Sequence, residues 1–426
     1  MRSGVYRKKR EGKARHIIQS SMTDYELGEK RVDWVFAHMP VMQRIRAAYE
    51  REQPFKGLTV AICLHLEPKT ANLGLTIKAG GATVVMCPSN PLSTQDSTVA
   101  YLQRHLTCFG ARGEDADAYH RHFHETLDRK PDLIVDDGAQ LLSTLHKERR
   151  EQLDGIIGLS EETTGGVNII KAVERKEGLR FPCIGVNTAL MKHLFDNRYG
   201  TGQSTIEGLL AATNLTICGK VVTVAGYGWV GKGVAMRMRG LGAEVIVTEV
   251  DATKALDARM EGFRVMRMSG AARLSDFIIT TTGGLNIVDE PHLEVMKDQC
   301  ILANVGHFNR EINISALRAA AKAVRVVRPD VEEFTLADGR RVYLLANGEL
   351  VNIAIGQGHP AEIMDMTFAL QSLAPKYLLD HRGTLEPTFY VVPAELDEQV
   401  ARMKLDTLGI DIDERSDEQK QYDDYY

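Results

Sequence analysis

The stretch Lys220-Val-Val-Thr-Val-Ala-Gly-Tyr-Gly-Trp-Val-Gly-Lys-Gly233 constrains this chain more than any other. A β-branched run enters a Gly-x-Gly-x-x-Gly turn. A helix-like segment (Val234 to Leu241) then leads to a second apolar run that closes on Glu249. Strand, turn, helix and strand in that order form the unit that holds a dinucleotide. Gly226 permits the tight turn, Gly228 lets the backbone approach a pyrophosphate, and Gly231 lets helix and strand pack closely. The helix N-terminus offers free N–H groups and a positive dipole end to the phosphates, and Trp229 and Val230 of the turn are counted with the cofactor-binding residues. Glu249 lies eighteen residues past Gly231. It is placed to accept from ribose hydroxyls and to repel a 2′-phosphate, so the unit predicts NAD rather than NADP. The alternative is a glycine-rich packing turn without a ligand, and the full strand–helix–strand–acid layout argues against it.

At 426 residues the chain has room for two or three domains of about 150 residues each. Lys and Arg total 52 against 57 Asp and Glu, so no overall basic excess points to nucleic acid. No apolar run reaches the roughly 18 residues that span a bilayer. Residues 1–21 are basic (Arg2, Arg7, Lys8, Lys9, Arg10, Lys13, Arg15) without the apolar core of a secretory signal. They are read as a disordered extension or leader, with Met22 as the native start. The six cysteines form no C-x-x-C pair, and most sit in apolar runs. They are expected to be buried thiols in a reducing, cytoplasmic setting. No H-E-x-x-H or C-x-x-C motif occurs, so no metal is expected.

Short apolar strands at Thr59–Leu64, Ala82–Cys87, Leu133–Asp136 and Cys183–Val186 alternate with helical patterns such as Thr70–Ala79 and Thr98–His105. That rhythm predicts an α/β fold with a parallel sheet covered on both faces. A second such unit starts at Lys220, with strands expected at Phe277–Thr281, Ile301–Asn304 and Ala323–Val327. The fold class is therefore two doubly wound, Rossmann-like domains. An amphipathic helix expected over Ala361–Leu379 follows the last nucleotide-domain strand and crosses back to the first domain, which makes that domain discontinuous. The expected organisation is a substrate domain over 22–197 and 358–405, an NAD domain over 198–357, and a short tail over 406–426.

Ligands in open α/β sheets lie beyond the carboxyl ends of the strands, and polar residues concentrate there. His65 and Glu67 follow the first strand, Asp136 and Asp137 the third, Ser160-Glu-Glu-Thr-Thr164 a short apolar stretch, and Asn187 follows Val186. Each alone reads as a turn or helix cap; four in one domain read as an active site. Lys192 and Asp196, four apart, share a face if helical and can pair. They form either a surface ion pair or a lysine able to relay a proton from an alcohol as hydride leaves for NAD. His307 and His359 sit in Gly-bearing turns assigned to strand ends and are read as functional.

The motifs Ser93-Thr-Gln-Asp96, Asp136-Asp-Gly138, Ser160-Glu-Glu-Thr-Thr164, Phe195-Asp-Asn197, Gly226-Tyr-Gly228, Gly306-His-Phe308 and Gly358-His-Pro360 run in order along the chain. In them the chain resembles the S-adenosyl-L-homocysteine hydrolase family from His38 to the final helices. The resemblance implies a redox-neutral hydrolysis with resident NAD. Oxidation of the nucleoside 3′-hydroxyl acidifies the C4′ proton, its loss expels the homocysteine thiolate, water adds, and the ketone is reduced back. By motif, Lys192 with Asp196 would be the base for the 3′-hydroxyl, and Asp137 would handle the C4′ proton. His65 would serve the departing thiol and incoming water, and Glu162 and Asn187 would orient ribose and catalytic groups. His307 would act near the 3′-oxygen, and His359 would be the hinge and gate residue. Thr163, Thr164, Asn197, Asn304 and Asn352 would help hold NAD. The family also implies a homotetramer.

Two departures from the family pattern matter. Many members carry His-Met-Thr-x-Glu-Thr after the first strand, the Glu accepting from the adenine 6-amino group; this chain reads His65-Leu-Glu67-Pro-Lys69-Thr70. A lysine only donates and suits a 6-oxo base such as hypoxanthine, unless Lys69 points to solvent and Glu67 takes the adenine contact. With Thr201-Gly-Gln-Ser204 the chain resembles the archaeal and thermophilic-bacterial branch, which includes S-inosyl-L-homocysteine hydrolases. The acidic end after Tyr422 lacks the Lys-Pro-x-x-Tyr-Arg-Tyr tail of many members, and Lys254 stands where many carry Asn. Weaker NAD retention is expected from the missing tail, and a changed cofactor affinity from Lys254. A 2-hydroxyacid-type dehydrogenase and a non-catalytic NAD-binding relative are the competing functions.

Overall fold

The computed structural model describes residues 22–306 and 309–423. Two open sheets organise it. The first is built from β1 (Thr59–Leu64), β2 (Thr83–Pro88), β3 (Thr107–Cys108), β4 (Leu133–Asp136), β5 (Gly158–Glu161) and β6 (Cys183–Gly185). The second contains β7 (Val221–Ala225), β8 (Glu244–Thr248), β9 (Arg264–Val265), β10 (Phe277–Thr280), β11 (Cys300–Asn304), β12 (Ala321–Arg328), β13 (Val331–Leu336) and β14 (Arg341–Leu345). A last strand, β15 (Phe389–Val391), returns to the edge of the first sheet, whose order is β15-β6-β5-β4-β1-β2-β3 and whose pairs are all parallel. Strands such as β1 and β4 are buried almost throughout, as a parallel sheet with two covered faces requires.

The second sheet runs β12-β13-β14-β11-β10-β7-β8-β9. Its centre is parallel, but β12, β13 and β14 pair antiparallel. The Ala323–Val327 run is thus not a parallel core strand. It belongs to an edge strand, exposed along nearly its whole length, whose valines mimic a core strand in sequence while pairing on one side only.

The return helix also differs from its expectation. Ala361–Asp380 is helical but not amphipathic: Met364 through Pro375 is buried without interruption. It packs between the first sheet and the helices Pro40–Glu52 and Ala394–Thr407, so its polar side chains face protein. A helix buried all round has no solvent stripe to show. Two other helices begin earlier than the apolar pattern indicates. Pro68–Ala79 starts on a proline at its first turn, with Glu67 as N-cap accepting from Thr70 N–H, a position that suits proline. The next starts at Asp96. Among the described residues no helix is long and apolar enough to cross a membrane.

Candidate active site

The acid doublets at the ends of β4 and β5 show how the strand period divides labour. Successive side chains on a strand point to opposite sides. Asp136 is fully buried and accepts from Leu142 N–H (3.0 Å), and Glu161 accepts from Gly138 N–H (2.9 Å) and Ala139 N–H (3.0 Å). Both tie down the start of the helix Gln140–Glu148. Their neighbours Asp137 and Glu162 turn the other way, into the crevice. Burial pushes the Glu162 carboxyl up to about 8 against the pull of Lys192.

Lys192 stands at the centre of the crevice. Its Nζ donates to Asn197 Oδ1 (2.8 Å) and lies 3.3 Å from Asp196 Oδ1 and 3.4 Å from Glu162 Oε1, with 4% of its side chain exposed. The pairing arises in an unexpected backbone: after the turn Leu190–Lys192, residues His193–Gly200 wind as a π-helix, a form that recurs at functional sites. Asp397 accepts from Leu190 N–H (2.7 Å) and Met191 N–H (2.8 Å) and so caps this segment from the helix Ala394–Thr407. Burial alone would lower the Lys192 ammonium, but Asp196 and Glu162 outweigh it and raise it. Burial would likewise raise Asp196, but Lys192 and His359 hold it far below the usual carboxylate range. This is no surface pair.

His65 forms a second cluster at the end of β1. Its Nδ1 is 2.6 Å from Ser93 Oγ and its Nε2 3.4 Å from Asp137 Oδ2, which also accepts from Ser89 Oγ (2.7 Å). Ser93 Oγ also donates to Asn90 O (2.8 Å). Asn187 bridges the clusters toward the second domain, donating to Thr164 Oγ1 (2.7 Å) and accepting from Asn197 Nδ2 (3.1 Å). Thr163 is the N-cap of the helix Thr164–Glu177.

Glu67 and Lys69 pair at 2.6 Å with 8% of each side chain exposed, and Lys69 Nζ also donates to Gln357 O (3.0 Å). Lys69 does not point to solvent. Thr70 donates N–H and Oγ1 to the other Glu67 oxygen. Gln357 lies in the loop before His359. That histidine follows a helical turn, Val351–Ala354, rather than a strand. Its Nδ1 is 3.1 Å from Asp196 Oδ1, and its Nε2 is 3.0 Å from Thr201 Oγ1.

The glycine loop fits a dinucleotide. Gly226 has φ +99°, in the region that favours glycine. A Cβ on Gly231 would stand 2.1 Å from Gly226 O, whereas one on Gly228 would meet nothing within 4 Å. That open face at the start of Trp229–Gly240, which no side chain caps, is where a pyrophosphate can approach. Glu249 accepts from Tyr227 N–H and Val250 N–H, both at 2.7 Å. Asn352 Oδ1 is buried without a hydrogen-bond partner, an acceptor left for a ligand. The loop also touches the lysine cluster: Trp229 stacks on His193 with ring centroids 5.0 Å apart.

Not every predicted residue faces the crevice. Asn304 is fully buried; its amide donates to Gly306 O and Gly348 O and accepts from Thr280 Oγ1. Lys254 is exposed beside Asp251 (3.7 Å). His307 lies outside the described residues. Sequence reasoning missed Thr367, Gln371, Asp397 and Glu311. Glu311 accepts from Thr282 N–H (2.8 Å) and Gly283 N–H (2.7 Å) and braces the turn after β10. Only the polar side chains inside an apolar helical run could have flagged Thr367 and Gln371.

The family model described as S-adenosyl-L-homocysteine hydrolase matches residues 17–154, and that described as its NAD binding domain matches residues 197–358. The chain is 54% identical to an adenosylhomocysteinase of Thermococcus kodakarensis, over 93% of this chain and 94% of that one. It is 52% identical to an S-inosyl-L-homocysteine hydrolase of Methanothermobacter thermautotrophicus (93% and 95%) and 52% identical to an adenosylhomocysteinase of Aquifex aeolicus (93% and 96%). The chain belongs to the S-adenosyl-L-homocysteine hydrolase family and carries its NAD-binding domain.

Proposed function

We propose that this protein hydrolyses S-adenosyl-L-homocysteine to adenosine and L-homocysteine, reversibly and with NAD as resident cofactor. The observation that carries the reading is the Lys192 cluster, docked through His193 and Trp229 against the glycine loop that fits a dinucleotide. NAD, when bound, supplies the hydride acceptor for the 3′-carbon. Gly226, Gly228, Gly231, Trp229 and Val230 would cradle its pyrophosphate, Glu249 its ribose, and Thr163, Thr164, Asn197 and Asn352 its remaining polar groups.

The chain's own residues then handle protons. Lys192, aligned by Asp196, acts once its ammonium has given up a proton: the free amine takes the 3′-hydroxyl proton, and Glu162 and Asn187 hold the ribose and the lysine in register. Asp137 takes the C4′ proton once the neighbouring carbon is a ketone. His65, its Nε2 facing Asp137, protonates the leaving thiolate and later deprotonates the incoming water. His359 links the hinge to Asp196, so domain closure and alignment of the lysine are coupled, and closure keeps water from the unsaturated ketone.

A second reading has its own observation. The buried Glu67–Lys69 pair presents a donor beside an acceptor, and a donor suits a 6-oxo purine, so S-inosyl-L-homocysteine is the alternative substrate. Thiol release from NAD-supplied protein, measured with both thioethers side by side, tests both readings. Preference for the adenosyl compound is expected. Preference for the inosyl compound would establish Lys69 as the base reader, and no release from either would end the hydrolase reading.

A further inference from the structure

We propose that Thr367 and Gln371, one turn apart on the buried helix Ala361–Asp380, are positioning residues that fix the two carboxylates flanking Lys192. The proposal rests on the hydrolase reading and names the part of the fold that arms its base. Lys192 uses only one oxygen of each carboxylate: Glu162 Oε1 at 3.4 Å and Asp196 Oδ1 at 3.3 Å. The helix takes the others. Gln371 Nε2 donates to Glu162 Oε2 (2.8 Å) and Thr367 Oγ1 donates to Asp196 Oδ2 (3.0 Å). Each carboxylate is thus gripped between the ammonium and the helix, and neither can rotate without losing a partner.

The amide is itself oriented. Ser160 Oγ donates to Gln371 Oε1 (2.7 Å), which leaves the NH2 end for Glu162; the flipped amide would set an oxygen against a carboxylate oxygen. Thr367, Gln371 and Ser160 are all fully buried. Packing alone would be served by Val, Met and Ala, and burying polar groups is costly unless their bonds are made. Neither helix residue is needed to touch substrate; both act through the carboxylates. The charged groups facing Glu162 are Lys192 from the turn Leu190–Lys192, Asp196 from the π-helix, and Asp137 from the end of β4, while His359 faces Asp196. A donor to a carboxylate favours its ionised form, so removing one can only raise that group's pKa.

Infrared titration of the carboxyl C=O stretch tests this on full-length protein, with the Glu162 and Asp196 bands assigned by their loss in Glu162→Gln and Asp196→Asn. Gln371→Met is expected to move the Glu162 band to higher pH by about one unit. The pH profile of kcat should move the same way, with KM little changed. Thr367→Val should move the Asp196 band upward, and Thr367→Ser should restore it. Should Gln371→Met fail to fold, Ser160→Ala leaves the helix intact and should give a smaller upward shift. Bands that titrate unchanged or lower, or a Thr367→Ser that behaves as Thr367→Val, would overturn the proposal. If the unsubstituted protein releases no thiol, the hydrolase reading falls, and the infrared shift still decides whether the helix sets these carboxylates.

Discussion

The carboxyl edge of the first sheet and that of the second work by opposite physics. The first is dense with buried charge: Asp137, Glu162, Lys192 and Asp196 are all nearly or fully buried, and His65 and His359 complete the pairs. The second offers mainly backbone: a glycine at φ +99°, an uncapped helix start and an open face at Gly228. Its carboxylates, Glu249 and Glu311, accept from the N–H groups of neighbouring loops, at Tyr227 and Thr282. A cofactor that stays bound needs shape and unspent N–H groups. A reaction that moves protons needs charges already paired and held, because a preorganised charge need not reorganise during the step. The first edge should therefore fail when a charge is removed, and the second when a side chain is added.

Removing Lys192 breaks the comparison on its charged side and has the largest expected effect. Lys192→Met keeps the volume but leaves Glu162 and Asp196 buried without their cation, and breaking such a pair costs about 3–5 kcal/mol unless a proton is taken up. Thiol release should fall by roughly 10²–10⁴-fold, while NAD content, measured by absorbance of the denatured extract, stays near that of the parent. Loss of NAD in step with activity would show that the lysine serves the fold of the crevice rather than the chemistry.

Glycine substitutions probe the other edge. Gly231→Ala drives a methyl onto Gly226 O at 2.1 Å and should lower Tm as well as NAD affinity. Gly228→Ala meets no protein atom within 4 Å, so Tm should hold while NAD affinity, followed by fluorescence titration, falls about tenfold (~1.4 kcal/mol). Equal effects on Tm would mean that Gly228 serves packing and not ligand approach. A smaller change is expected at Lys69. Lys69→Met removes a buried donor, and the ratio of kcat/KM for inosyl over adenosyl substrate should drop by roughly tenfold or more if the lysine reads the base. An unchanged ratio would assign Lys69 to the loop contact with Gln357 alone.

The same contrast decides what could be read in advance. The glycine loop was legible because its shape requirements fall on neighbouring residues: Gly226 takes the positive φ of the turn, Gly231 packs against Gly226 O, and Gly228 leaves the face between them open. The catalytic edge was legible only in part. Strand endings announced His65, Asp137, Glu162 and Asn187, and helical spacing announced Lys192 with Asp196, although the connecting segment proved to be a π-helix. Strand endings alone did not say which member of each acid doublet faces the crevice, because strand phase depends on which face is covered by what; Asp137 and Glu162 were singled out only through the family motifs. Gln371 and Thr367 pair with residues about 170 to 210 positions away, and no local pattern encodes such a partner. The edge strand Ala321–Arg328 misled for a related reason: valines show β preference, not the number of neighbours a strand will have.

The smallest predicted effect is also the one with opposite signs within a single cluster. Asp196 has its folded-state pKa lowered from 3.8. Its contribution to stability is present above 3.8 and lost as pH falls through the folded value. Glu162 is raised from 4.5 to about 8, so between those values the folded protein holds a proton that the unfolded chain has released. That interval costs stability as pH rises. The Lys192 attraction is already contained in that rise, so stability should fall with pH across the window. Thermal unfolding from pH 2 to 8 should then show Tm declining from about pH 5 to 8 in the parent, and Glu162→Gln should flatten that limb. Asp196→Asn should flatten the limb below pH 4 and leave the upper one in place. Parallel curves for Glu162→Gln and parent would mean that Lys192 keeps Glu162 ionised throughout, and the first edge would then hold two permanent carboxylates around one permanent ammonium.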